Sequence, residues 1–117
     1  MREKALQNLR LARALLELGL YDGASTHLYY AAFQAVIFAF ERKGLRPHDF
    51  LPGAKRWEHW MVIRHASRAR GHPEDALLLK ELRWLRNRAD NHESTVDLKR
   101  LAVLCRLADP LVREVIR

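Results

Sequence analysis

The segment HLYYAAFQAVIFAF, residues 27–40, is the feature that most constrains the fold, because it is apolar on nearly every side when wound as an α-helix. Such a helix lies at the centre of a bundle, or packs against a second subunit as well as its own chain. It is too short for a membrane span, which needs about 20 apolar residues. Charges resume at residues 41–43, and Gly44 is expected to end the helix. The sequence therefore predicts a buried central helix.

The other segments repeat their apolar residues with helical spacing. A first helix is predicted over roughly residues 2–19 and a third over about 57–69, after a loop at 44–56 that holds two prolines and two glycines. A fourth helix follows Pro73, and its apolar stripe has spacings of +4, +3 and +4: Leu78, Leu82, Leu85 and Ala89. No strand-like alternation occurs in the sequence. The prediction is a single all-α domain over residues 1–117, an antiparallel bundle of four to five helices.

Three helix starts carry local signals. Asp22 or Ser25 is expected to cap the second helix, because short polar side chains accept hydrogen bonds from the first backbone N–H groups. Residues 94–97, Ser-Thr-Val-Asp, resemble a capping box and are expected to open a fifth helix. Pro110 is expected to lie in the first turn of a separate, short terminal helix, where proline is tolerated.

Charge and cysteine content limit the classes of function. The chain has 21 lysines and arginines against 14 acidic residues, a net charge of +7, and most of the cations are arginine. A phosphate-rich partner such as RNA fits this balance, although genomic base composition or thermal adaptation also produces arginine-rich surfaces. The one cysteine, Cys105, has no partner within the chain, so a cytoplasmic location is expected, and no membrane span is predicted. No cofactor is expected, because the six histidines lack zinc-binding spacing and no glycine-rich phosphate loop occurs.

The segment LRWLRNRADNHEST, residues 82–95, concentrates cations and polar groups at the end of the fourth helix. On a continuous helix Arg86 and His92 are separated by about 240° and about 9 Å of rise, so they do not face one phosphate within a subunit. If the apolar stripe met its own copy across a two-fold axis, two arginines and two histidines would converge. The alternatives are an exposed Arg86–Asp90 ion pair and a His92 that caps the helix or packs at the core edge.

Two aromatic groups leave their roles open. Tyr29, Tyr30 and Phe33 are typical of core packing, with base stacking as the alternative. A second group can line a groove beside the arginine-rich segment, unless its tryptophans are buried. This group consists of Trp57, Trp60, Arg64 and Arg68.

The segment LYYAAFQAV (28–36), the glycine-terminated helix and LRWLRNRADNHEST together resemble the HEPN domain family, over roughly residues 5–108. That family is all-α, dimerises through its helices and often carries an Arg-polar-x(3–5)-His motif, which Arg86, Asn87 and His92 match as RN-x4-H. The resemblance implies a metal-independent endoribonuclease that leaves 2′,3′-cyclic phosphate ends, with Arg86 and His92 as the catalytic pair and Asn87 as their polar neighbour. The adjacent arginines are predicted to bind RNA phosphates: Arg83 and Arg88.

The resemblance also implies partners. HEPN proteins form homodimers, and many are toxins encoded beside a small nucleotidyltransferase that serves as antitoxin. Some of these toxins carry a tyrosine two positions after the motif histidine, which the partner modifies with AMP; Ser94 occupies that position here. Two other hypotheses stay open. The chain can be a non-catalytic HEPN subunit that binds a nucleotide or a nucleotidyltransferase, or a helical bundle whose arginines only make it soluble.

Overall fold

A computed structural model describes residues 1–91 and 97–117, apart from the side chains at positions 90 and 91. All regular structure in those residues is helical, as the sequence predicts, and none of their helices is long and apolar enough to cross a membrane. Two 3-10 turns, 47–49 and 66–68, lie in the connections around the third helix. The α-helices are α1 (Arg2–Glu17), α2 (Tyr21–Arg42), α3 (His59–Arg64), α4 (Glu74–Asn91) and α5 (Leu98–Val115).

Helix α2 is the centre of the bundle and contacts each of the other four helices. Its buried residues, which include Tyr29 and Phe40, cover most of the helix circumference, and the remaining face, with residues 27, 30, 34 and 38, is half-buried. The predicted central helix is therefore confirmed, and α2 meets its partners within one chain. Gly44 has a φ of 80°, and the Leu45 N–H donates to the Phe40 carbonyl over 3.0 Å, so the helix ends in the left-handed turn that glycine permits.

The apolar stripe of α4 lies inside the protomer. Leu78, Leu82, Leu85 and Ala89 are at most 7% exposed, and α4 packs mainly on α2. Because this stripe is already covered by its own chain, it cannot also meet a second copy across a two-fold axis. A two-fold contact through this stripe is therefore excluded, whereas the dimer and its composite site stay predictions that have to use other surface.

Helix α2 begins earlier than the apolar segment suggests. Its N-cap is Leu20, which makes no side-chain cap. Asp22 therefore lies within the first turn, and the Ser25 hydroxyl donates to the Tyr21 carbonyl over 3.0 Å. The prediction that Asp22 or Ser25 caps α2 is wrong. Burial of the following residues extends the helix over a start that has no capping side chain.

Helix α5 departs from its predicted start and end. Asp97 itself is the N-cap, and its Oδ1 accepts hydrogen bonds from the N–H groups of Lys99 (2.9 Å) and Arg100 (3.4 Å). The rest of the predicted capping box, residues 94–96, lies outside the described residues. Pro110 stands within one continuous helix, and the predicted separate terminal helix is wrong. The residues after the proline are buried, and this burial keeps the helix intact: Leu111, Val112 and Val115.

Candidate functional site

Arg83 and Arg86 lie one turn apart on α4 and share a face of the helix. The guanidinium carbon of Arg86 is 5.1 Å from the centre of the Tyr30 ring, a cation–π contact that fixes the plane of the group against α2. The Nε atom of Arg83 is buried, and no described residue offers it a hydrogen-bond acceptor. A buried donor without a partner among the described residues is uncommon in native structures.

His59, the first residue of α3, stands beside these arginines. Its ring is stacked on Phe33 at 4.7 Å and on Tyr29 at 5.6 Å, and its Nδ1 lies 2.6 Å from the Tyr29 hydroxyl oxygen. Burial raises the pKa of Tyr29, so the phenol keeps its proton. Burial, and then the charges of Arg83 and Arg86, lower the pKa of His59, so the imidazole is neutral at pH 7. These protonation states make Tyr29 the donor and Nδ1 the acceptor, which places the imidazole proton on Nε2.

The titration of His59 tests how its burial and the charges of the two arginines lower the pKa of its imidazole. We expect its imidazole to titrate below 6.5, with the folded state losing stability as the pH falls through that lowered pKa, because the unfolded chain binds the proton more readily. Replacing Arg83 with alanine is expected to move the midpoint upward, since a neighbouring positive charge is removed. NMR titration of the His59 ring measures the midpoint in each protein, and urea-induced unfolding at several pH values measures the loss of stability. Arg10→Ala on α1 is the matched control, and an equal shift in that variant would refute the local electrostatic origin.

The structure brings some of the residues predicted from the motif together. Arg86 and Arg83 lie beside His59, and Asn87, which is exposed, lies one turn after Arg83 and lines a surface groove with it. Arg88 turns away from both arginines, with its guanidinium carbon 4.6 Å from the centre of the Trp84 ring. His92 and the side chain of Asp90 lie outside the described residues, so the predicted catalytic pair and the alternative Arg86–Asp90 ion pair both stay predictions.

His59 is a site residue that the sequence did not single out, whereas Tyr30 belongs to the aromatic group for which core packing and base stacking were both open. His59 follows Glu58, but no second histidine has the spacing that a helical zinc motif requires, so the pair carries no signal of its own. Helical spacing within one segment cannot relate α3 to α4, so the sequence held no signal for their proximity. Tyr29 and Phe33 are buried, which confirms core packing for both, whereas Tyr30 is only partly covered.

The predicted group of two tryptophans and two arginines divides into two parts. Trp57 packs against Phe40 and Phe50, with ring centres 5.6 Å apart in each pair, and the Arg68 guanidinium carbon lies 5.2 Å from the Phe50 ring centre. This part packs on the core. Trp60 and Arg64 are both exposed.

Two other groups that could carry chemistry, Cys105 and a cluster around Asp75, lie in surroundings that disfavour it. Burial raises the pKa of Cys105, which disfavours the nucleophilic thiolate. In the described part of the chain, ligand atoms of His72, Glu74 and Asp75 lie within 4.8 Å of one another. Both oxygens of Asp75 already accept hydrogen bonds from Arg70, so a cation there has to compete with a guanidinium group.

Comparison of the chain with models of protein families, with curated proteins and with solved structures finds no match. The likeness to HEPN domains consequently depends on the motifs within the chain itself.

Proposed function

We propose that this chain is a HEPN-type, metal-independent endoribonuclease that acts as a homodimer. The observation that carries the proposal is the pair Arg83 and Arg86, which share one face of α4 and both act on the neutral His59. Arginine matches phosphate oxygens with two parallel donors, and an anionic transition state gains most from cations that are already held in place. The RN-x4-H motif adds Asn87 and His92.

The proposed reaction is a transesterification within RNA. The ribose 2′-oxygen bonds to the adjacent phosphorus and the bond from phosphorus to the 5′-oxygen breaks, which gives a 2′,3′-cyclic phosphate and a 5′-hydroxyl end. A base takes the proton from the 2′-hydroxyl, and a protonated acid returns a proton to the leaving 5′-oxygen. His92 is assigned to one of these two roles. Arg86 stabilises the charge that develops on the phosphorane oxygens. No metal ion takes part in these steps.

Dimerisation is part of the proposal because the sequence predicts that, on a continuous helix, Arg86 and His92 would be separated by about 240°. Residues from two copies can supply what one protomer separates. The interface has to lie outside the α4 stripe, which is internal. A small nucleotidyltransferase that neutralises the nuclease is the proposed partner, with the chain as the toxin of the pair.

The experiment is incubation of the purified chain with labelled total transfer RNA in excess EDTA. Fragments that end in 2′,3′-cyclic phosphate are expected from the wild-type protein, and none from His92→Ala. Equal fragments from both proteins would identify a contaminating nuclease. RNA binding without fragments in either lane would replace this proposal with the alternative, a non-catalytic subunit that binds a nucleotide or a partner, because the same two arginines hold a phosphate without turnover.

A further inference from the structure

A groove runs between α3 and α4 next to the candidate site, with a cavity volume of about 410 Å³. Trp60 on α3 and Trp84 on α4 line it, and these indoles are 46% and 57% exposed. Both are exposed aromatic rings on helices whose other faces are well packed. Two large exposed aromatic side chains along one groove are typical of a binding surface.

The charged residues of the groove are all basic. Arg64, one turn after Trp60, and Lys80, one turn before Trp84, line it together with Arg83. Among the described side chains, residues 1–89 and 97–117, none of these three forms a hydrogen bond or an ion pair. The charged wall therefore complements a polyanion, and the exposed indoles complement flat, apolar groups carried by that polyanion.

The neighbouring groove, between α4 and α5, has a different lining. It shares Trp84 and Lys80, but it also contains Glu81, which pairs with Arg100, and its floor is formed by leucines. A surface with paired charges and leucines is typical of contact with protein. The groove between α3 and α4 combines aromatic rings with cations that lack acidic partners, a combination typical of single-stranded nucleic acid binding.

Arg83 connects the groove with the candidate site. It lines the groove and also lowers the pKa of His59, so its guanidinium group is close to both. A strand that lies in the groove can place one of its phosphates beside Arg83 and the next segment of backbone beside Arg86.

We propose that the groove between α3 and α4 binds a single-stranded segment of RNA, with bases stacked on Trp60 and Trp84 and phosphates on Arg64, Lys80 and Arg83. This inference builds on the proposed function, because it names unpaired RNA as the form of the substrate. Double-stranded RNA does not fit the same contacts, since its bases are stacked on one another and cannot reach the indoles.

Binding of a short, fluorescein-labelled 2′-O-methyl oligouridylate to the full chain tests this proposal. The methyl group blocks the nucleophilic oxygen, so binding is measured without cleavage, by anisotropy of the label and by quenching of tryptophan fluorescence. Trp84→Leu is expected to weaken binding about tenfold, because leucine keeps apolar contact but cannot stack on a base. Trp84→Tyr keeps an aromatic face and is expected to retain most of the affinity. Folding of each variant is checked by thermal unfolding.

The salt dependence of binding tests the phosphate contacts. Arg64→Ala is expected to reduce the slope of log affinity against log salt by about 0.7, the value for one phosphate contact with a single strand. Arg10→Ala removes an equal charge from α1, on a helix that packs on α2 and α5, and is expected to leave the slope unchanged. Equal slopes for these two variants would overturn the assignment of Arg64.

The remaining outcomes separate this inference from the proposed nuclease. Tryptophan-dependent binding of the blocked oligonucleotide, with no cleavage of unmodified RNA, supports the groove and contradicts the nuclease. Cleavage of RNA by a Trp84→Leu variant that binds the oligonucleotide as tightly as the wild type would refute the groove alone. If Trp84→Leu alters sedimentation of the protein and leaves the RNA affinity unchanged, the groove is an interface with a second copy and the inference is wrong.

Discussion

Replacing Arg86 with alanine is expected to lower the rate of RNA cleavage in EDTA by about 100-fold or more, which is the usual loss when one donor to a developing oxyanion is removed. The guanidinium carbon of Arg86 lies 5.1 Å from the centre of the Tyr30 ring, and this cation–π contact holds the group in place before a substrate binds. A preorganised cation does not have to reorganise as charge develops. The effect is accordingly expected in kcat, whereas Arg83→Ala is expected to act mainly on KM.

The lysine variant makes the test of Arg86 sharper. Arg86→Lys keeps the positive charge but loses the planar, two-donor geometry, so we expect only partial recovery of kcat. Arg106→Ala, an exposed arginine on α5, is the matched control and is expected to cleave at the wild-type rate. An Arg86→Ala protein that retains its fold and wild-type kcat would contradict the catalytic assignment.

A second large effect is expected for stability, from Arg70→Ala. Arg70 donates to both oxygens of Asp75, over 2.7 and 2.9 Å, and to Glu114 over 2.9 Å. The Asp75 side chain is fully buried in the first turn of α4, and Glu114 lies at the end of α5. Removing Arg70 leaves the Asp75 carboxylate buried without its counter-charge, which is expected to lower the free energy of unfolding by about 3–5 kcal/mol. Urea-induced unfolding measures this change.

Two variants distinguish the buried pair from ordinary surface charge. Arg113→Ala removes an arginine whose partner, Asp109, is on the same exposed side of α5, and should cost less than about 1 kcal/mol. The double variant Arg70→Met with Asp75→Leu is expected to recover most of the lost stability, because neither charge then remains buried. If the double variant is as unstable as Arg70→Ala, the loss comes from packing and the electrostatic explanation fails.

The central helix and the α4 stripe were predictable because each depends on the order of apolar residues within one segment. The position of Gly44 was equally local, since a left-handed turn after a long helix favours glycine. The ends of α5 were not predictable in this way. A proline within a helix costs about 3 kcal/mol, and only the tertiary burial of residues such as Leu111 and Val112 explains why α5 continues through Pro110.

The candidate site was predictable in part for the same reason. Arg83 and Arg86 are three residues apart on one helix, so their common face follows from helical geometry. His59 is 24 positions before Arg83 in the chain, and its place beside the arginines depends on how α3 packs against α2 and α4. The sequence also could not show that the apolar stripe of α4 is buried within the protomer. This burial excludes the stripe as a dimer interface.

The positive charges of the chain fall into two populations. Some already have acidic partners: Arg70 is held by the carboxylates of Asp75 and Glu114, and Arg113 pairs with Asp109. Cations neutralised in this way add little to the electric field outside the molecule. The field that a distant polyanion meets comes mainly from cations without such partners; it orients an approaching strand before any contact forms and makes its association rate fall with ionic strength, and the groove contributes three of these cations. These cations are Arg64, Lys80 and Arg83.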